Sequence, residues 1–196
     1  MIATRAEIKT LLGISSTNYD ARINLLRPIV QDDLVDVCNN SFFLRKVYVK
    51  GTDIAITEST GDGDKIKQGS AEFKDTVDDA SFAASRDIVV HGSRHNDGHY
   101  ELASVSSGVL TLATSGGVIA ESTGEYVTVA QVKWPEALKP YYAQMVWHKI
   151  NKAKGNIAKS ESIDDYSITY ADGTYGYPQS IINGLKSAGY VKARMS

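Results

Sequence analysis

Residues 87–112 read DIVVHGSRHNDGHYELASVSSGVLTL, and this stretch decides the class of the middle of the chain. Asp87-Ile88-Val89-Val90, Tyr100 to Val105 and Val109 to Leu112 are short runs rich in β-branched residues, separated by Asn96-Asp97-Gly98 and Ser107-Gly108. Asn, Asp and Gly tolerate positive φ, so placing them between two such runs signals a hairpin turn. The pattern continues outward on both sides. Val47-Tyr48-Val49, Asp53 to Thr57 and Tyr126 to Val129 are further short runs, Gly61-Asp62-Gly63 and Gly116-Gly117 are further turns, and no proline occurs between Phe43 and Lys133. Residues 43–133 are therefore expected to form a small antiparallel sheet or barrel.

The flanks follow a helical period. Thr4 and Glu7 have capping-box spacing, Ile8, Leu11 and Leu12 share a face, and Gly13 is a stop signal. Asn18 or Asp20 opens a second helix whose apolar positions are Ile23, Leu26, Ile29, Val30, Leu34 and Val37, with Pro28 marking either a kink or the true start. After the sheet region, Pro135 suits a helix opening, and Leu138, Tyr141, Tyr142, Met145, Val146 and Ile150 line one face up to Gly155. An extended stretch follows from Ile163 to Tyr170, and Pro178 then opens a short helix through Ile181, Ile182 and Leu185. The expected fold class is α+β: a split α-helical bundle made of residues 1–42 and 134–196, with a small antiparallel β-sheet or barrel, 43–133, inserted between its halves. Such insertions fall where chain ends lie close together.

Composition narrows the function classes. With 21 Lys+Arg against 23 Asp+Glu the net charge is −2, which argues against sequence-independent nucleic-acid binding and leaves open a mildly acidic pore through which DNA slides without sticking. The single cysteine, Cys38, excludes a disulfide within the chain and reads as a small buried hydrophobe. The N-terminal residues lack the pattern of a signal peptide, and no apolar run approaches a membrane span, so a soluble protein used without export is expected.

Candidate chemistry is sparse. His91, His95, Asp97 and His99 crowd nine residues, but their spacing matches no zinc signature, and Asn96-Asp97-Gly98 reads better as a turn. Gly61-Asp62-Gly63-Asp64 resembles a fragment of a calcium loop without its closing glutamate. Gly116-Gly117 does not join a strand to a helix, so it is no phosphate cradle. Trp134, Tyr141, Tyr142 and Trp147 have the spacing of a packed helix face rather than of a base-stacking platform. No catalytic residues, metal or cofactor are expected, and the chain reads as a non-enzyme. Tyr166, Ile168 and Tyr170 alternate with Ser167 and Thr169, which leaves two possibilities open: strand addition to a neighbouring subunit, or a local hairpin packed on its own bundle.

Two blocks resemble a known family. Glu7-Ile8-Lys9, Leu12-Gly13-Ile14, Asp20-Ala21-Arg22-Ile23 and Leu25-Leu26-Arg27-Pro28 resemble the opening of the head–tail connector, or adaptor, family of long-tailed phages. Ser160-Glu161-Ser162-Ile163-Asp164-Asp165-Tyr166-Ser167-Ile168-Thr169-Tyr170 resembles its C-terminal block, with Asp164 standing where the family usually has glycine. The middle region resembles a small β-module found in phage virion proteins, whose turn commonly reads Ser-Asn-Asp-Gly. The resemblance implies a dodecameric ring in the virion neck, beneath the portal protein and above the next neck or tail-completion protein. DNA would pass through without specific binding, and assembly would take place in the host cytoplasm. It also implies contacts to the portal or a neighbouring subunit from Ile163, Tyr166, Ile168, Tyr170, Tyr190, Lys192 and Arg194. Two rival readings are a β-barrel module gripping glycan or a host surface on a helical stalk, and a metal-dependent hydrolase built on His91, His95, Asp97 and His99. Exposed aromatics on the β-region would favour the first rival, although Phe73, Phe82, Tyr100 and Tyr126 are scattered enough for a core to absorb.

Overall fold

A computed structural model describes residues 1–70, 73, 82–153, 160–163, 166–169 and 176–192. The chain divides into two compact units: Ser41–Lys133 together with Met1, and Ile2–Asn40 together with Trp134–Ser196.

The first unit is a seven-stranded sheet. Its strands are β1 (Phe43–Gly51), β2 (Ile54–Thr57), β3 (Lys65–Gln68), β4 (Asp87–His91), β5 (Gly98–Ser106), β6 (Val109–Leu112) and β7 (Val127–Val132). They lie in the order β1-β7-β4-β5-β6-β3-β2, and every neighbouring pair is antiparallel. The sheet curls because β5 changes partner halfway. Gly98–Glu101 pair with β4, whereas Leu102–Ser106 pair with β6, and the register slips between Leu102 and Ser104. A second irregularity lies in β1 between Phe43 and Tyr48. Bulges of this kind bend a strand and increase its twist, which turns an open sheet into a half-barrel. Alternate residues of the strands fill its interior. Val47, Val49, Ile54, Ile56, Ile66, Ile88, Val90, Leu102, Leu110, Leu112, Val127 and Val129 are buried there, with Phe73 and Phe82 edge to face at 5.3 Å. Each such side chain contributes about 1.5–3 kcal/mol on burial.

The second unit contains α1 (Arg5–Leu12), α2 (Asp20–Cys38), a 3-10 turn (Glu136–Leu138), α3 (Lys139–Ala153), the strands β8 (Ser160–Ile163) and β9 (Tyr166–Thr169), and α4 (Gln179–Ser187). The capping box forms: the Glu7 N–H donates to Thr4 Oγ1 at 3.2 Å, and the Thr4 N–H donates to Glu7 Oε2 at 2.7 Å. Lys139 Nζ, 2.7 Å from Glu7 Oε1, and the Thr4 N–H hold the Glu7 carboxyl at about 2, well below its ordinary value. Gly13 ends α1 at φ 66°, and Asn39 ends α2 at φ 46°, both in the left-handed conformation that satisfies terminal carbonyls. Helix α2 runs continuously through Pro28. Its Cys38 is fully buried, and burial pushes the thiol up to about 11.

These observations correct the expected fold class. The architecture is mainly a curled antiparallel sheet accompanied by four helices, not a split helical bundle carrying a small inserted sheet. The periodicity of the flanks identified helices but carried no information on how much of the chain the sheet would organise. One strand, β3, was also missed, because Lys65-Ile66-Lys67-Gln68 has a single apolar residue; only its place between β6 and β2 makes it a strand.

The fragment that resembles a calcium loop, Gly61–Asp64, joins two loops instead. Asp64 is fully buried, and its carboxylate accepts the N–H groups of Ser59 (2.8 Å), Gly116 (3.0 Å) and Gly117 (2.8 Å). Burial by itself would raise the acid's pKa, but these backbone donors outweigh it and hold Asp64 below the ordinary carboxylate range. The loops 59–64 and 114–118 are thus joined through one side chain. Asp64→Asn should cost about 1–3 kcal/mol at neutral pH, because an amide turns a donor toward these donors. The wild-type advantage is present above the unfolded aspartate pKa and is lost as the pH falls through the folded value. Urea unfolding of both proteins at neutral and strongly acidic pH checks this. A constant difference between them would contradict the assignment.

Candidate functional site

The residues singled out by the C-terminal pattern converge on one element. β8 and β9 pair antiparallel, with Ser160 opposite Thr169, Glu161 opposite Ile168, Ser162 opposite Ser167 and Ile163 opposite Tyr166. Paired residues share a face and successive residues alternate. The register therefore assigns Glu161, Ile163, Tyr166 and Ile168 to one face, and Ser160, Ser162, Ser167 and Thr169 to the other. Of the two possibilities left open for the Tyr166–Tyr170 stretch, a local pairing forms over its described residues, with β8 as the partner of β9. Among the described residues this sheet has two strands only, so each strand keeps one unpaired edge. A two-stranded hairpin is marginal in water by itself and is completed by a third strand or an apolar cover. Tyr170 and Arg194 lie outside the described residues, as do Asp164 and Asp165.

The segment leaving the hairpin is fastened tightly. Tyr177 is fully buried and donates its hydroxyl to Asp33 Oδ2 at 2.5 Å. Lys149 Nζ lies 2.9 Å from the same oxygen and 5.5 Å from the centre of the Tyr177 ring. His148 Nε2 lies 3.1 Å from the Gly176 carbonyl. Burial, and then the Asp33 carboxylate beside it, push the Tyr177 phenol far above its ordinary pKa, so it remains a donor. Pro178 opens α4, whose Ile181, Ile182 and Leu185 are buried. A Cβ at Gly184 would lie 2.5 Å from the Tyr141 ring, so only glycine permits this approach of α4 to α3. Beyond α4, Gly189 turns the chain at φ 75°, the Tyr190 N–H donates to the Leu185 carbonyl at 3.1 Å, and the Lys192 N–H donates to the Cys38 carbonyl at 2.8 Å. Of the two described tail residues expected to contact a partner, Tyr190 is half-buried and Lys192 has an exposed side chain on a fastened backbone.

Asp33, Lys149 and Tyr177 were not singled out in the sequence. Asp33 and Tyr177 stand 144 positions apart, and no local pattern announces such a pair. The candidate stacking aromatics are held by packing and hydrogen bonds. Tyr142 is fully buried with its hydroxyl on the Arg27 carbonyl at 2.6 Å, and Trp147 packs edge to face on Tyr19 at 5.2 Å.

The histidine-rich segment forms the turn of a β4–β5 hairpin, as its composition predicts, but by another route than positive φ at Asn96 or Asp97. It connects β4 to β5, but the turn spans Gly92 to Asp97, and neither Asn96 nor Asp97 takes positive φ. Their side chains shape it. Asp97 Oδ1 accepts the Ser93 N–H at 2.8 Å, and Asn96, 2% exposed, binds both the N–H and the carbonyl of Ile119 at 2.8 Å. Glu121 accepts the N–H groups of Arg94 at 3.0 Å and His95 at 2.8 Å, and Arg94 pairs with Glu125. A recess of about 420 Å³ lies here, lined by Arg94, His95 and residues 120–125. Its carboxylates are engaged in holding the loop. Burial keeps His99 below the ordinary histidine range, whereas His91 is exposed at the end of β4. Among the described residues no three His, Cys, Asp or Glu side chains come together in a way that could hold a metal ion. No described helix is long and apolar enough to cross a membrane.

No protein family matches the chain, and no curated protein matches it. The geometry thus stands on its own: a two-stranded hairpin, and, later in the chain, a segment before α4 anchored through Tyr177, Asp33 and Lys149. Tyr177→Phe removes the hydroxyl and leaves Asp33 with one fewer donor, at a cost of about 1–3 kcal/mol. Amide exchange should quicken across 176–192 while the sheet unit is unchanged. Equal protection in the two proteins would show that the hydroxyl does not anchor this segment.

Proposed function

We propose that the chain is the subunit of a ring adaptor in the neck of a long-tailed phage, joining the portal to the next neck or tail-completion protein. The observation that carries this reading is the β8–β9 hairpin: two strands, one face of Ile163, Tyr166 and Ile168 with Glu161, the other entirely of hydroxyl residues, and an unpaired edge on each strand. An element with these properties gains stability by meeting a partner, through strand addition at an edge or by covering its apolar face. The resemblance of the N- and C-terminal blocks to the connector family supports the same reading and supplies the portal as partner.

Assembly is the activity. A heterologous contact repeated by one rotation closes into a ring when that rotation divides a full turn, twelve-fold by the resemblance. DNA then passes along the ring axis, and an overall charge of −2 does not hold it. The ring belongs in the virion neck, and no catalytic step is assigned to it.

The hairpin must be tested without removing α4, since cutting the chain before residue 176 would also delete Tyr177, Ile181, Ile182 and Leu185 from the core. Ile163→Asp with Ile168→Asp places two carboxylates on the apolar face and leaves the anchored segment intact. Mixed with purified portal, the wild-type chain should appear in electron micrographs as a closed ring stacked on the portal. The double variant should keep its circular-dichroism spectrum and leave the portal bare. A wild-type chain that stays monomeric beside the portal, or a double variant that still stacks, would reject the reading.

A further inference from the structure

One face of the sheet carries a cluster that the adaptor reading above does not draw on. Lys50 pairs with Thr128, and Thr128 pairs with His91, so these three residues form a row across β1, β7 and β4. Val49, Val129 and Val90 form the adjacent row and are buried in the interior, so the Lys50 row belongs to the opposite face. Tyr48, two residues from Lys50 on β1, shares this face and is 48% exposed. Tyr126, two residues before Thr128, is 58% exposed. Lys50 Nζ sits 5.9 Å from the centre of the Tyr48 ring. Along the direction of β7, the positions of Tyr48 and Tyr126 are about 13 Å apart, with the Lys50–Thr128–His91 row midway.

Edge-strand lysines have a protective role, because charge on an unpaired edge discourages association with other sheets. That accounts for Lys46 and Lys50. It does not account for two exposed tyrosines on either side of the Lys50 row, since exposed aromatics promote association. Tyr126 also precedes β7, which is an inner strand.

We propose that this face binds an anionic saccharide, with Tyr48 and Tyr126 as the stacking surfaces and Lys50 as the cation between them. Sugar rings present C–H faces that pack on aromatic rings, and hydroxyls that need donors and acceptors at the margins. Tyrosine supplies both from one side chain. The residues between the two tyrosines are polar: an ammonium, a hydroxyl and an imidazole. A protein partner would call for an apolar, dry centre there instead. Lys46 and Lys50 on the outward face of β1 contrast with the sheet unit as a whole, in which carboxylates outnumber Lys and Arg, and this selects a ligand bearing carboxylate or phosphate. Every residue in the proposal belongs to the sheet unit, and none is among the hairpin residues that carry the adaptor reading.

Titrating the full chain with trigalacturonate, and separately with neutral maltotriose, tests this by amide chemical shifts. Trigalacturonate should move the signals of Tyr48, Lys50, Tyr126 and Thr128 saturably and more strongly than maltotriose. Tyr48→Ala and Tyr126→Ala should each weaken binding about tenfold, which is about 1.4 kcal/mol. Tyr48→Phe should retain most of the affinity, because stacking survives, and Lys50→Gln should abolish the preference for the acidic sugar. Both tyrosines are half-exposed, so the alanine variants should unfold at the wild-type temperature. Unmoved signals would overturn the proposal, as would equal response to the two sugars or full binding by the alanine variants. So would concentration-dependent shifts of the same signals without sugar, which would make the face a protein interface.

Discussion

The backbone pairing of Phe43 with Val132, extended by the Lys133 N–H to the Phe42 carbonyl at 3.0 Å, is the constraint on which the rest of the structure depends. It closes an excursion of about ninety residues so that the chain leaves the sheet beside the point where it entered. Helices from the two ends of the sequence can then share one unit. The closing strand, β7, also sits between β1 and β4, so that Val129 faces Val49 on one side and Val90 on the other. Closing a loop of this length costs little more than closing one half as long. The apolar surface buried by β7 offsets that cost.

Within the helical unit a similar logic fastens the residues before α4. Gly176 and Tyr177 are held by Asp33, Lys149 and His148 acting together. The buried hydroxyl needs an acceptor, the carboxylate needs donors, and the ammonium lies over the ring. Each group satisfies another, which is the condition under which polar groups tolerate burial.

Much of the local structure was legible in the sequence. The Thr4–Glu7 capping box, the stop at Gly13, Pro178 at the opening of α4 and six of the seven sheet runs follow from rotamer, φ and periodicity constraints that operate over a few residues. The nature of the β4–β5 connection was not legible. Asn96-Asp97-Gly98 has turn composition, yet Asn96 serves by gripping Ile119, 23 positions away, rather than by adopting positive φ. The relative weight of sheet and helix was misjudged for a related reason. Helical periodicity is conspicuous in a sequence, whereas a strand such as Lys65–Gln68 acquires its identity from its neighbours.

The sequence by itself determined where helices begin and end, which runs alternate, and where the chain must turn, because these depend on sterics and hydrogen bonds between residues close in the chain. Only the tertiary structure decided the strand order, the partner switch along β5, the Asp33–Tyr177 anchor and the row joining Lys50, Thr128 and His91. Those arise between segments tens to more than a hundred residues apart. Since the cost of closing such loops varies slowly with their length, spacing in the sequence carries almost no information about which of them will form.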